Sequence, residues 1–128
     1  MDLNTLNNLV NILSEFENLV EIGIGYRTDV SNLLIKNSSV VATDIHECIV
    51  PSGVKFVIDD ITNPVIDVYS NSDAIYALNM PPELHQYALN VSLQVGSKFI
   101  FTTLGGDFPE IPVYPQTIPG ETLYWASG

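Results

Sequence analysis

The chain has 128 residues, 46% of them hydrophobic, and its 15 acidic residues against four lysines and arginines give a net charge of −11. This length predicts a single domain over residues 1–128, and the apolar content excludes a disordered chain. Nucleic acid is not expected as a direct partner unless another subunit supplies a basic surface, because a nucleic-acid binder needs cations to pair with phosphates. No apolar run reaches the roughly 20 residues of a membrane span, and one cysteine suits a reducing compartment, so we expect a cytoplasmic protein that does not enter a membrane.

The first 17 residues are predicted to form a helix. Leucines at positions 3, 6, 9 and 13 recur at intervals of three and four residues, which is the spacing of one apolar helix face. We expect this helix to pack ahead of the first strand.

Strands and helices alternate over residues 19–104. Five apolar runs have strand composition, and they cover 19–22, 40–43, 55–58, 74–78 and 98–103. Helical segments are predicted between them, over 28–36, after Asn63-Pro64, and from Pro81-Pro82 to a stop at Gly96. Near-continuous apolar strands that alternate with helices indicate a sheet covered on both faces. The predicted fold is α/β, a Rossmann-like, doubly wound and mostly parallel sheet of about five to six strands.

The segment 105–120 is rich in proline, with Pro109, Pro112, Pro115 and Pro119. These prolines predict the absence of regular structure, and an extended strap over a sheet edge is favoured over a recognition tail. Residues 121–128 are predicted to form a short terminal strand.

An acid interrupts the first apolar strand and is followed at once by two glycines. Glu21 precedes Gly23 and Gly25, so it lies near the carboxyl end of the strand, where ligands bind in such sheets. A carboxylate in a buried run costs several kcal/mol unless something satisfies it. A ligand contact is therefore favoured over a strand-end acid that reaches solvent or caps a helix. Thr28 stands where a dinucleotide fingerprint has its third glycine. A pyrophosphate is also disfavoured beside a carboxylate, so Glu21 indicates a cationic ligand group rather than a phosphate.

Acids also end the next two strands. Asp44 follows Gly25 by 19 residues, a position from which an acid can accept hydrogen bonds from ribose hydroxyls. The alternative for Asp44 is an Asx-turn or a helix cap. Asp59 and Asp60 end the third strand, and since adjacent residues point in opposite directions, we expect one to face the cleft and the other to be solvated.

With these residues, positions 19–104 resemble the class I S-adenosylmethionine-dependent methyltransferases. The resemblance implies that Glu21, Gly23 and Gly25 lie at the methionine end of the cofactor, that Asp44 contacts the ribose, and that Asp60, with Ile61 beside it, contacts the adenine.

The short length and three runs of sequence are also similar to an uncharacterised archaeal family of short methyltransferase-like proteins, uncharacterised protein family 0146. The runs are Glu-Ile-Gly-Ile-Gly-Tyr-Arg from Glu21, Asp-Asp-Ile-Thr-Asn-Pro from Asp59, and Leu-Gly-Gly-Asp from Leu104. This resemblance implies a Rossmann-type sheet of a truncated class I methyltransferase but no established reaction.

Other polar residues are weaker candidates. The resemblance implies a substrate side at Asn79 and Pro81, because amino-group methyltransferases hold the target nitrogen with an Asn-Pro-Pro-aromatic run, although a helix start is the favoured interpretation here. His46 and Cys48 alone do not make a metal site, so no metal is predicted. His85 is predicted to be a surface or packing residue, and His46 is a weak candidate for a base lining the cleft.

The leading hypothesis is a protein that binds S-adenosylmethionine or a related adenosyl ligand, with the methyl acceptor left open. Little sequence remains after the fifth strand to form a lid, so a protein partner, a second copy of the chain in a homodimer, or the proline-rich strap itself would have to bind a substrate. The alternatives are a catalytically inactive Rossmann scaffold or regulatory subunit and, less favoured, a dinucleotide-dependent oxidoreductase.

Overall fold

A computed structural model describes residues 1–127. Its helices are α1 (Leu3–Leu13), α2 (Asp29–Leu34) and α3 (His85–Val95), and two 3₁₀ turns cover Ile66–Val68 and Pro82–Leu84. The strands are β1 (Asn18–Ile22), β2 (Ser39–Asp44), β3 (Lys55–Ile58), β4 (Ala74–Ala77), β5 (Lys98–Phe101), β6 (Val113–Ile118) and β7 (Glu121–Ala126). Within these residues no helix is long and apolar enough to cross a membrane.

All the strands belong to one sheet, in the order β3-β2-β1-β4-β5-β7-β6. Strands β1 to β5 are parallel to one another, whereas β7 is antiparallel to both β5 and β6. The predicted α/β Rossmann-like fold is confirmed. The sheet has seven strands rather than five to six, because the proline-rich segment contributes one of them.

Strand β6 corrects the prediction that prolines exclude regular structure across 105–120. Pro115 lies in the middle of β6 and faces Tyr124 of β7. β6 is the last strand of the sheet and has a neighbour on one side, so a residue without an N–H group is tolerated there. The final strand ends at Ala126, and Gly128 of the predicted 121–128 strand lies outside the described residues.

Both faces of the sheet carry a buried apolar cluster. On one face α1 and α2 cover the sheet, with Leu9, Leu13, Val30 and Leu34 among the buried side chains. On the other face α3 and the turn Ile66–Val68 cover β1, β4 and β5. The doubly wound arrangement therefore follows from the apolar content of both faces of the central strands.

Two helical predictions differ from the structure at their boundaries. The first helix ends at Leu13 rather than near residue 17, because the N–H groups of Glu15 and Phe16 bond three residues back, as in a tightening last turn. The helical turn predicted from Pro64 begins at Ile66, with Val65 as its cap. The predicted stop at Gly96 is confirmed, because Gly96 has a φ of 77° and ends α3 in the left-handed conformation.

Candidate functional site

Glu21 is buried in the centre of the sheet, with 1% of its surface exposed. It lies between Ala42 of β2 and Tyr76 of β4, and its Oε1 accepts a hydrogen bond of 2.6 Å from the Tyr76 hydroxyl. Among residues 1–127 this is the single hydrogen bond to the Glu21 carboxyl.

Burial raises the pKa of Glu21 to about 8, and the Tyr76 hydrogen bond offsets part of that rise. Asp29 raises the pKa of Glu21 further, and Arg27 lowers it. The carboxyl is therefore mostly protonated at neutral pH. The negative charge that the sequence predicts at Glu21 is therefore largely absent at neutral pH.

The two glycines after β1 form a turn with an open side. Gly23 has a φ of 70° and Gly25 a φ of 54°, conformations that favour glycine. The N–H groups of Gly23 and Ile24 both donate to the carbonyl of Thr43, at 2.9 and 3.1 Å. A Cβ atom added to either glycine would meet nothing within 4 Å. Backbone conformation, rather than crowding, therefore requires glycine here, and a ligand can approach the backbone.

Asp44 joins the end of β2 to this glycine turn. Its Oδ2 accepts from the Gly25 N–H at 2.9 Å, and its Oδ1 accepts from the His46 N–H at 3.1 Å. The second contact is an Asx-turn, which was the alternative considered for this residue. An ionised carboxylate has about four acceptor sites, so Asp44 can still accept hydrogen bonds from a ligand.

The two acids after β3 have different environments. Asp59 is buried, and it accepts a 2.6 Å hydrogen bond from the Tyr69 hydroxyl and a 2.9 Å bond from the Val65 N–H. Asp60 is exposed, and its Oδ1 accepts from the hydroxyl and the N–H of Thr62, which lower the pKa of Asp60. Of the two acids, Asp60 is thus the one open to solvent and to a ligand.

Ile61 follows these acids with its side chain in the core. The side chain is buried within the cluster beneath α3. A ligand contact from Ile61 would therefore come from its backbone.

The residues after β4 form a fixed kink. Asn79 has a φ of 52°, and its N–H donates to Thr102 Oγ1 at 2.8 Å. The Met80 N–H donates to the Thr102 carbonyl at 2.9 Å, so the end of β5 anchors both residues. Asparagine tolerates the left-handed region better than most residues. Pro81 follows on the surface and leads into the 3₁₀ turn that precedes α3.

His85 supports this kink from inside the protein. Its Nδ1 accepts from the Glu110 N–H at 3.2 Å, so Nε2 carries the proton and donates to the Met80 carbonyl at 3.0 Å. The ring also packs on Phe101, with ring centroids 4.4 Å apart. The prediction of a packing residue is confirmed and that of a surface residue is wrong. Both ring nitrogens are engaged, so His85 is not placed to act as a base.

His46 and Cys48 have no metal-site geometry in the described part of the chain. The Cys48 thiol donates to the backbone carbonyl of His46 at 3.4 Å. Across residues 1–127, no group of three or more His, Cys, Asp or Glu side chains is positioned to hold a metal ion.

The candidate site lies at the carboxyl edge of the parallel strands. The structure places buried Glu21 two residues before the glycine turn, to which Asp44 is hydrogen-bonded, and it places Asp60 and Asn79 just after strands β3 and β4. In sheets of this type ligands bind at this edge. Sequence reasoning missed Tyr76, although a tyrosine inside the apolar run Ala74–Ala77 was a usable signal for a buried hydrogen bond.

A cavity of about 530 Å³ lies away from this site, over the amino-terminal halves of strands β1, β2 and β3. Asn18, Ser39 and Lys55, each at the beginning of a strand, are part of its lining. None of the predicted site residues lines it. It forms beside a crossover from β3 to β4 that contains one 3₁₀ turn. The candidate site is therefore the carboxyl edge of the sheet, where the glycine turn and the acids lie.

Comparison with solved structures relates the fold to methyltransferases. An RNA methyltransferase from Salinibacter ruber in complex with S-adenosyl-L-homocysteine matches with a TM-score of 0.65 and 14% identity, over 98% of this chain and 91% of the other. Magnesium protoporphyrin IX methyltransferase from Synechocystis PCC 6803 with bound SAM matches with a TM-score of 0.64 and 13% identity, over 94% and 76% of the two chains. At such identities the likeness concerns the fold.

Comparison of sequences identifies the family. A relative in Halobacterium salinarum is 45% identical over 117 residues, which cover 90% of this chain and 91% of the relative. The model of one protein family matches residues 3–122. The chain is therefore a member of Uncharacterised protein family (UPF0146), with the fold of the class I S-adenosylmethionine-dependent methyltransferases.

Proposed function

We propose that the chain binds S-adenosylmethionine or a related adenosyl ligand at the carboxyl edge of β1 to β4. The observation that carries this proposal is the grouping of two acids and a glycine turn at the ends of β1 and β2. Buried Glu21 lies directly before a glycine turn with an open side, and Asp44 of the neighbouring strand bonds to that turn.

The donor set fits the parts of such a ligand. Glu21 has no bonded cation among the described residues, so the ammonium or sulfonium of the ligand can supply one. Asp44 retains acceptor sites for ribose hydroxyls. Both bonds from Thr62 fall on Oδ1 of Asp60, and Oδ2 can accept from an adenine amino group, with the Ile61 backbone beside it. Asn79 and Pro81 would then lie on the acceptor side of the site.

A dinucleotide is supported less well. Helix α2 has six residues, and Asp29 is in its first turn with Oδ1 accepting from the Val30 N–H at 2.9 Å. A pyrophosphate placed at this helix would meet a carboxylate, which opposes a second negative charge.

An assembly or regulatory subunit is the second candidate function. Strand β3 is one edge of the sheet, and three exposed isoleucines lie on it or in the loop before it. These are Ile45, Ile49 and Ile58. Apolar side chains beside an edge strand, which has one unpaired side, favour contact with a second copy or with another protein.

Calorimetric titration tests the ligand proposal. We expect S-adenosylmethionine and S-adenosylhomocysteine to bind with micromolar affinity, about −8 kcal/mol, and NAD to give no heat. Asp44→Asn keeps an acceptor for the Gly25 N–H but removes the charge, and it should weaken binding at least about tenfold. Asp67→Asn removes the same charge from an exposed position on the turn Ile66–Val68 and should bind like wild type. The absence of heat with both adenosyl ligands would contradict the proposal and leave the assembly function.

A further inference from the structure

Glu21 and Tyr76 form a buried pair that lacks a bonded counter-charge. Each side chain has 1% of its surface exposed, and the hydroxyl donates to Glu21 Oε1 at 2.6 Å. No cation joins the pair by a hydrogen bond in the described part of the chain. An isolated carboxylate in such an environment is costly, and the group becomes neutral by taking up a proton.

The charged groups around the pair have opposite signs, and the remaining neighbours are neutral. From the glycine turn and the start of α2, Arg27 and Asp29 act on Glu21 in opposite directions. From β2, Thr43 donates its hydroxyl to the backbone carbonyl of Glu21 at 3.0 Å and adds no charge. From β4, Tyr76 is itself held neutral, since burial and Glu21 raise its pKa well above the usual value. The charge of the pair therefore depends on what occupies the open side of the glycine turn.

We propose that the Glu21–Tyr76 pair holds a proton in the free protein and releases it to solvent when a cationic group of the ligand reaches the glycine turn. The inference rests on the proposed adenosyl-ligand function. The proton leaves the Glu21 carboxyl, and the Tyr76 hydroxyl keeps its own proton and continues to donate to Oε1. The pair makes the site selective for positively charged adenosyl ligands and makes affinity depend on pH.

The expected pH dependence has a definite sign. The pKa of Glu21 is about 8 in the free protein, and a nearby cation lowers it in the complex. Below pH 8 binding therefore releases about one proton, and affinity rises about tenfold for each pH unit. The range from pH 6 to 7 is suitable, because it lies below the ordinary α-amino pKa of about 7.7 to 8.0.

Three ligands separate the contributing charges. S-Adenosylmethionine carries a sulfonium and an ammonium, S-adenosylhomocysteine carries the ammonium alone, and 5′-methylthioadenosine carries neither. We expect S-adenosylmethionine to release about one proton on binding and 5′-methylthioadenosine to release almost none. Proton release with S-adenosylhomocysteine would show that the ammonium alone is sufficient to ionise Glu21.

Calorimetry at pH 6.5 in two buffers of different ionisation enthalpy measures the released protons. His46→Gln serves as the background, so that this exposed imidazole near Asp44 does not contribute. In that background Glu21→Gln should still bind, more weakly, and release almost no proton. Tyr76→Phe should still release one, because the proton resides on Glu21. Binding of S-adenosylmethionine without proton release, or equal release by Glu21→Gln, would overturn the inference.

A second measurement examines the free protein without any ligand. The ¹³C resonance of the Glu21 carboxyl, assigned with Glu21→Gln, should titrate near pH 8. Ionisation in the acidic range would overturn the inference even if S-adenosylmethionine binds. If the resonance titrates near pH 8 but no adenosyl ligand binds, the proposed function fails and the ligand-driven release fails with it.

Discussion

Two buried acids each accept a 2.6 Å hydrogen bond from a tyrosine, and they differ in what the other oxygen does. Asp59 accepts from Tyr69 on one oxygen and from the Val65 N–H on the other. Glu21 accepts from Tyr76 on Oε1, with no second bond to its carboxyl within residues 1–127. Asp59 has a partner on each oxygen, whereas Glu21 has one oxygen without a bonded partner among the described residues.

The difference separates a structural acid from a candidate ligand acid. Asp59 accepts on both oxygens, and these two bonds fix the chain between β3 and the turn Ile66–Val68. Glu21 lacks such a second partner among the described residues, and it lies two residues before the open glycine turn. A buried acid whose partners are incomplete is therefore the better indicator of a ligand than burial alone.

The largest expected effect is on the Asp59–Tyr69 pair. Asp59→Ala leaves the Tyr69 hydroxyl and the Val65 N–H without their acceptor, and it should lower the free energy of unfolding by about 3 to 5 kcal/mol. Urea unfolding followed by circular dichroism measures this loss. Asp67→Ala, an exposed aspartate eight residues later, should unfold like wild type. If Asp59→Ala lowers the free energy of unfolding no more than Asp67→Ala does, Asp59 does not have this structural role.

The next effect is a change of stability with pH at Glu21. Its folded pKa of about 8 lies above the ordinary pKa of 4.5, so its contribution to stability is present below pH 4.5 and is lost as pH rises toward 8. Glu21→Gln lacks this titration. Relative to the variant, wild type should lose about a hundredfold in its folding equilibrium constant between pH 5 and 7. Parallel stability curves for the two proteins would contradict the raised pKa.

A smaller contrast is expected between the two tyrosines. At pH 6 Tyr69→Phe removes a hydrogen bond to an acid that accepts on both oxygens, and it should cost about 2 kcal/mol. Tyr76→Phe removes a bond to a protonated acid and should cost about 1 kcal/mol. Unfolding of both variants in the same buffer measures the difference, and the reverse order would mean that the two pairs have been assigned the wrong roles.

The smallest effect is expected at the exposed neighbour Asp60. Its two bonds from Thr62 lie at the surface, where water replaces them. Asp60→Ala should therefore leave the unfolding midpoint unchanged within error while weakening S-adenosylmethionine binding. A clear loss of stability would show that the turn after β3 depends on Asp60 as well as on Asp59.

Local patterns predicted most of the fold. The parallel strands β1 to β5 and the stop at Gly96 were recognisable because apolar runs and breakers act on nearest neighbours. The local rule failed at Pro115, since whether a proline is tolerated in a strand depends on which side of it has a neighbour. That position at the edge of the sheet is a property of the assembled protein.

The candidate site was predicted less completely than the fold. Glu21 was visible as the odd residue of its strand, and Asp44 by its spacing from Gly25. The partner Tyr76 is 55 residues away from Glu21, and the register of β4 against β1 brings the two together. The sequence did not distinguish a surface position from a packed one for His85. Its two hydrogen-bond partners come from separate loops, which the fold brings together.

By itself, the sequence determined the alternation of strands and helices, the acids at strand ends and the glycine turn. Each of these depends on the intrinsic preferences of residues close together in the chain. Only the tertiary structure decided which acid has a partner on each oxygen, which tyrosine each acid contacts and whether Glu21 is charged. Burial and hydrogen-bond partners control ionisation, and at Glu21 both come from strands that are distant in sequence.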